Sequence, residues 1–147
     1  MKQHRLLLAL ACASALLAPA VAQADPGKAR LNYLQYCSGC HQADGSGLPA
    51  SAVPSMRGTL GRFLQVRGGR EYIVQVPGVM NSPLNDAQVA ELMNWLLPAV
   101  SPETLPRGGT APYTAEEVTR LRASRPVDVM GTRRRLVAAM PAVEPAR

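Results

Sequence analysis

The chain has 147 residues, 47% hydrophobic but only 4% aromatic, and a formal net charge of +6. That length holds one small domain, and with so few large side chains its core is thin unless an apolar group fills it. Of the three cysteines and two histidines, too few lie beyond the first two dozen residues for a zinc site built from several of each, and no basic stripe interleaved with aromatics points to nucleic acid.

Lys2, His4 and Arg5 form a basic leader, Leu6 to Leu17 is almost wholly apolar, and Ala22-Gln23-Ala24 offers small residues for cleavage. This predicts a secretory signal peptide over residues 1–24, cut after Ala24. The apolar stretch is interrupted by Ser14 and Pro19 and falls short of the ~20 residues a membrane span needs. No later run is longer, so the mature chain is expected to carry no transmembrane segment. Cleavage removes His4, Cys12, Lys2 and Arg5 and no acid. Cys37 and Cys40 are then the only cysteines, His41 is the only histidine, and the net charge is +4. One histidine excludes bis-histidine iron ligation, and it excludes a Ser-His-Asp triad that does not use His41. Export also implies an oxidising compartment, the periplasm.

Lys28 to Tyr36 is expected as a helix running into Cys37-Ser38-Gly39-Cys40-His41. Residues 42–61, rich in Gly and Pro, are expected as loop. Arg62 to Val66 is a short turn and Arg70 to Val76 a short helix, although Ile73, Val74 and Val76 equally suit a strand. Pro77-Gly78 stops it. Ala87 to Leu97 is the better helix: Val89, Leu92, Met93 and Leu96 recur at i, i+3, i+4, i+7. Asn85 or Asp86 caps it and Pro98 closes it. Residues 98–112 have linker composition. Thr114 to about Ser124 is a short helix with Glu117 at the capping-box position. Arg133-Arg134-Arg135 and the Ala/Pro-rich end are expected to be weakly ordered.

The C-x-x-C-H run carries the chemistry. Two thiols three positions apart can each form a thioether to a haem vinyl group, and the adjacent His41 is then placed to bind iron as proximal ligand. The same pair without haem could act as a thiol–disulfide redox couple, but that chemistry usually comes with a βαβ pattern absent here.

Residues of roughly 29–98 resemble the monohaem class I cytochromes c. Tyr33 stands four before Cys37, where that family often has an aromatic. "CHQADGSGLP" is similar to its "CHGxDGxGxP" loop, and "VPSMRGT" to its "PPLxG" segment, with Pro54, Met56 and Gly58 at matching positions. "GREYIVQVPGVM" and "MNSPLNDAQVAELMNWL" resemble the short helix, distal loop and C-terminal helix that follow. The resemblance implies an all-α, small cytochrome c fold of three to five helices wrapped around one covalently bound haem c, with a C-terminal extension. The divisions are then 1–24 signal peptide, 25–98 cytochrome domain and 99–147 a Pro/Arg-rich extension with one short helix. It also implies that His41 donates its other ring nitrogen to a backbone carbonyl of the 49–54 loop, Pro49 or Pro54.

For the distal side of the iron the mature chain offers Met56, Met80, Met93, Met130 and Met140, with Lys28 as an outsider. Met93 falls on a helix's apolar face, and Met130 and Met140 lie in the tail. Met80, in a loop between two helices, is the first choice and Met56, in a Pro-flanked loop, the second. A thioether ligand favours ferrous iron and closes the site to oxygen. Arg57, Arg62, Arg67 and Arg70 could meet haem propionates or, with the +4 charge, an acidic docking surface on a periplasmic or membrane redox partner.

Together these features predict a periplasmic one-electron carrier rather than an enzyme. The alternatives are a five-coordinate haem enzyme or gas sensor, and a haem subunit of a periplasmic dehydrogenase complex.

Overall fold

The computed structural model describes residues 25–141; the signal peptide expected over 1–24 lies outside the described residues. The fold is all-α, and the one β feature among the described residues is an isolated antiparallel bridge between Leu48 and Val53.

Helix α1 spans Pro26–Tyr36. It starts two residues before the expected Lys28 because Asp25 caps it, accepting from the amides of Gly27 at 2.9 Å and Lys28 at 3.4 Å, while Pro26 occupies a first-turn position where a missing N–H costs nothing. The cysteine–histidine run is itself a one-turn helix, α2 (Ser38–His41). A 3-10 turn at Pro49–Ser51 interrupts the following loop, and α3 (Leu60–Phe63) starts two residues before the expected Arg62.

The 70–76 ambiguity resolves as helix, α4 (Gly69–Gln75), with Tyr72, Ile73, Val74 and Gln75 buried. That helix stops before Pro77 as expected, with Val76 extended, but Pro77 also begins another turn, α5 (Pro77–Met80), because proline at N1 already has a helical φ and lacks only an orphan donor.

Helix α6 (Asp86–Val100) has the expected apolar face, with Val89, Leu92, Met93 and Leu96 all buried. Asn85 is its N-cap in a full capping box with Gln88. Pro98 lies inside this helix rather than closing it. Only one intrahelical donor is lost, near the last turn. Leu96, Leu97 and Val100 around it pack against the core, and Ser101 N–H still donates to the Leu97 carbonyl at 3.1 Å.

The extension departs most from expectation. Its 98–105 stretch is no free linker: a 3-10 turn at Pro102–Thr104 packs on α3, and Ser101 is fully buried, its Oγ accepting from Gly61 N–H at 3.2 Å. Helix α7 (Ala115–Arg122) has Thr114 as N-cap, but Glu117 turns away from the capping box to pair with Arg70. The arginine run expected to be weakly ordered lies in a helix, α8 (Val129–Ala138), capped by Asp128. It forms because Leu136 and Met140 share a face that buries against the core. Eight α-helices among the described residues exceed the expected three to five; α2, α3 and α5 are single turns.

The core joins both parts of the chain. Helix α1 crosses α6, where Tyr33 and Trp95 meet with ring centroids 5.6 Å apart. Helix α7 lies against α6 and α4, and α8 against α4. Tyr113, Val118, Leu136 and Met140 belong to the same apolar cluster as Tyr33, Phe63 and Leu92.

Candidate functional site

Cys37 and Cys40 are unbridged thiols, the first half-buried and the second exposed. Helix α1 delivers them: Cys37 N–H donates to the Tyr33 carbonyl at 2.9 Å and Ser38 Oγ to the Leu34 carbonyl at 2.7 Å. The next turn follows as His41 N–H donates to the Cys37 carbonyl at 3.0 Å. One turn thus carries both sulfurs and the imidazole. Burial pushes the Cys37 thiol pKa up.

His41 is half-buried, and its Nδ1 is buried with no hydrogen-bond partner among the described residues. Burial lowers its pKa, and the Pro54 carbonyl opposes that shift. Pro54, rather than Pro49, is therefore the carbonyl placed beside the imidazole. With Nδ1 turned inward, Nε2 is the nitrogen left to meet a ligand.

The loop after His41 is held tightly. Gln42 adopts φ +61° and its carbonyl accepts from the Tyr33 hydroxyl at 2.6 Å. Gly47 N–H donates to the His41 carbonyl at 3.0 Å, and Met56 N–H to the Gly45 carbonyl at 2.8 Å. Ser46 and then Arg57 hold the exposed Asp44 carboxyl down to about 2. Met56 is half-buried against the core, and a methyl group on Gly45 would lie 3.7 Å from its Cε. That end of Met56 lies near Gly45.

Met80 is the last residue of α5 rather than a loop residue, and its side chain is half-buried. Its amide donates to the Val76 carbonyl at 2.9 Å. The Val79 carbonyl just before it accepts from Ser82 Oγ at 2.8 Å and from Arg122 Nη2 at 3.1 Å. Met93 is core, 2% exposed, and Met140 is buried as well.

Three of the four arginines singled out in the sequence have partners within the protein. Arg57 pairs with Asp44 at 2.8 Å and Arg62 donates to the Pro141 carbonyl at 2.8 Å. Arg70 binds both carboxylate oxygens of Glu117 and stacks over Tyr113. Arg67 is exposed, with no hydrogen bond or ion pair among the described residues. The expectation that this cluster serves propionates or a docking surface therefore loses Arg62 and Arg70.

Sequence reasoning missed Arg122 and Gln75. Gln75, 7% exposed, donates to the carbonyls of Leu121 and Ser124. Their partners lie 36 to 49 residues away in the chain, so no local pattern marks them.

Two clefts of about 240 Å³ each lie along α1 and α6, and neither includes Cys37, Cys40, His41 or Met80. The first borders the loop after His41 through Ala43 and Asp44, and the second lies at the start of α1. Among the described residues no group of three or more His, Cys, Asp or Glu could hold a metal, and no helix is long and apolar enough to cross a membrane.

No protein-family model matches the chain. It is 36% identical over 137 aligned residues to a cytochrome c-552 of Thermus thermophilus, covering 80% of this chain and 88% of that protein. It is 35% identical over 134 residues to another Thermus thermophilus protein of the same name, covering 78% of this chain and 98% of that one. A match over four-fifths of the chain cannot be confined to residues before 99, which make up two-thirds of it. The likeness therefore reaches into the extension.

Proposed function

The chain belongs to the c-type cytochromes, electron-transfer proteins rather than enzymes, and from that premise we propose that it is a periplasmic one-electron carrier with a single haem c, joined to Cys37 and Cys40 and ligated by His41 and Met80. When bound, that group supplies an iron that changes by one charge, at a potential raised by a neutral thioether ligand.

The observation that carries this reading is the placement of His41. It ends the turn that also bears both sulfurs, its Nδ1 is buried with no hydrogen-bond partner among the described residues, and the Pro54 carbonyl lies beside the imidazole. A donor bond there fixes the ring plane and raises the basicity of Nε2. The residues fit the group in two further ways. Both thiols are free to be alkylated. Leu34, Cys37, Met56, Leu64 and Val79 pack against the core and stay partly exposed, so apolar surface remains for a large flat ring to cover.

The role of each residue follows. Cys37 and Cys40 anchor, His41 holds the proximal side, and Met80 closes the distal side against oxygen and peroxide. Met56 is the lesser candidate for that place because its methyl end lies near Gly45, in the loop that follows His41. Residues 1–24 support export. For docking, the +4 charge steers the protein toward an acidic partner surface, with exposed Arg67, Arg125, Arg134 and Arg135 in place of Arg62 and Arg70.

The test is an absorption spectrum of exported protein in both oxidation states, for wild type and Met80→Ala. A weak near-red sulfur-to-iron band in the ferric wild type, lost in the variant, is expected. Attached haem without that band overturns Met80 ligation and makes an open-site enzyme or sensor the better account.

A further inference from the structure

We propose that Arg122, in the C-terminal extension, is a positioning residue that holds Met80 in place for iron ligation; the proposal rests on the Met80 reading above. The guanidinium of Arg122 reaches out of α7 and grips the segment bearing Met80 at both ends. Nη2 donates to the Val79 carbonyl at 3.1 Å, and Nη1 donates to the Leu84 carbonyl at 2.9 Å and to Asp86 Oδ1 at 2.8 Å. The Val79 carbonyl belongs to the peptide unit whose nitrogen is that of Met80. The Leu84 carbonyl ends the turn that follows, and Asp86 opens α6. One rigid planar group thus spans residues 79 to 86, and Arg suits this because its donors have a fixed fork geometry.

The contact is sheltered. The side chains of Arg122 and Asp86 are 20% and 30% exposed, so solvent screens their charges only in part. Thr119, one turn earlier on α7, donates to the other oxygen of Asp86 at 2.6 Å. Gln75 fixes α7 from the opposite side through the Leu121 and Ser124 carbonyls. Helix α7 is therefore registered against both flanks of the Met80 segment, and Arg122 is the member that reaches the peptide next to Met80.

A short helical turn ending in a half-exposed methionine has little of its own to keep it shut. Bonds within the segment run from Ser82 and Asn81 back to Val79 and Pro77, and these would move with it as a unit. Among the described residues, the Arg122 bonds are the hydrogen bonds that tie that unit to a separate helix, beside the apolar packing of Val79 and Leu84 on the core. Their loss leaves the segment held by that packing, and the methionine then competes less well with an outside ligand.

The experiment uses ferric holoprotein and imidazole as the competing ligand, followed at the near-red band, with hydrogen exchange of amides 79–84 alongside. Arg122→Ala is expected to bind imidazole roughly tenfold tighter than wild type, the loss of about one charge-assisted hydrogen bond, and to exchange amides 79–84 faster. Arg122→Gln, which keeps length but can serve only part of the set, is expected to fall between and carries the test if Arg122→Ala does not accumulate with haem. Arg70→Ala is the control, since it removes one side-chain tie between the extension and α4 without touching 79–86; its imidazole affinity should stay within about twofold of wild type. Equal affinities in Arg122→Ala and wild type, or an equal gain in Arg70→Ala, overturn the positioning role. A wild type with no near-red band overturns Met80 ligation itself, and the role of Arg122 with it.

Discussion

Tyr33 donates its hydroxyl hydrogen to the Gln42 carbonyl at 2.6 Å, tying the buried face of α1 to the residue that follows His41. Burial first, then the neighbouring Cys37 and Asp44, push the Tyr33 pKa up to about 12. Tyr33→Phe removes this bond and leaves the carbonyl short of a donor, at a cost of about 1 kcal/mol, measurable by urea unfolding of the holoprotein. The pH effect has a definite sign. The folded state keeps a proton that the unfolded chain releases near pH ~10, so the contribution is complete below that pH and is lost as pH rises toward 12. The alkaline decline in stability should be shallower in Tyr33→Phe.

Gln42 holds φ +61° and ψ 163°, a region that suits glycine and costs other residues roughly 1–3 kcal/mol. The similar family loop has glycine at this place. Gln42→Gly should relieve the strain against a smaller entropic cost of about 0.5–1 kcal/mol. A modest rise in the thermal midpoint of the holoprotein is expected, and a fall would show that Gln42 makes side-chain contacts worth more than its strain.

Gly47 presents the opposite case. It sits at φ +76°, and a Cβ there would lie 2.6 Å from the Val53 carbonyl oxygen and 2.7 Å from Pro54 backbone atoms. Backbone cannot yield as a side chain can, so Gly47→Ala should displace the Val53–Pro54 part of the loop and with it the carbonyl beside the His41 imidazole. The expected result is a sharp loss of red, haem-attached protein on export; a wild-type yield would mean the loop opens at little cost.

What can be read from the sequence is whatever local pattern determines. The spacing of Val89, Leu92, Met93 and Leu96 and the Asn85 cap mark α6, because helix periodicity and capping act within a few residues. Cys37, Cys40 and His41 stand out as one motif and form one turn. Met80 belongs to a loop only if Pro77 stops the chain's helical course, and proline also opens a helix. The arginines at 133–135 suggest solvated chain, while the deciding residues are Leu136 and Met140, which need a core surface from α4 to pack upon. Arg70–Glu117, Gln75–Ser124 and Arg122–Val79 are contacts across more than 40 residues, and nothing local encodes them.

Arg70 and Glu117 pair through two bonds of 2.7 Å, with side chains 26% and 21% exposed. The Arg70 bond, ahead of its charge, holds the Glu117 carboxyl below the usual range. A depressed carboxylate contributes stability that is complete above the unfolded pKa of ~4.3 and lost as pH falls through the folded one. Glu117→Gln should therefore cost about 1–3 kcal/mol at neutral pH, and its deficit against wild type should shrink below pH ~4 in acid unfolding curves.

Ending the chain after Pro98 tests whether the extension is part of the domain. The cut removes buried Ser101, Tyr113, Val118, Leu136 and Met140, along with the partners of Arg70, Gln75 and Gly61. Each buried apolar side chain of this size contributes about 1.5–3 kcal/mol, so losing four approaches the roughly 5–15 kcal/mol that holds a small domain together. Little soluble haem-bearing protein is expected. Ending instead after Ser124 keeps α7 and its bonds but drops Leu136 and Met140, and should give a red protein with a lower thermal midpoint. If the Pro98 truncation melts like the full chain, the 25–98 segment folds by itself and the contacts of α7 and α8 add nothing to its stability.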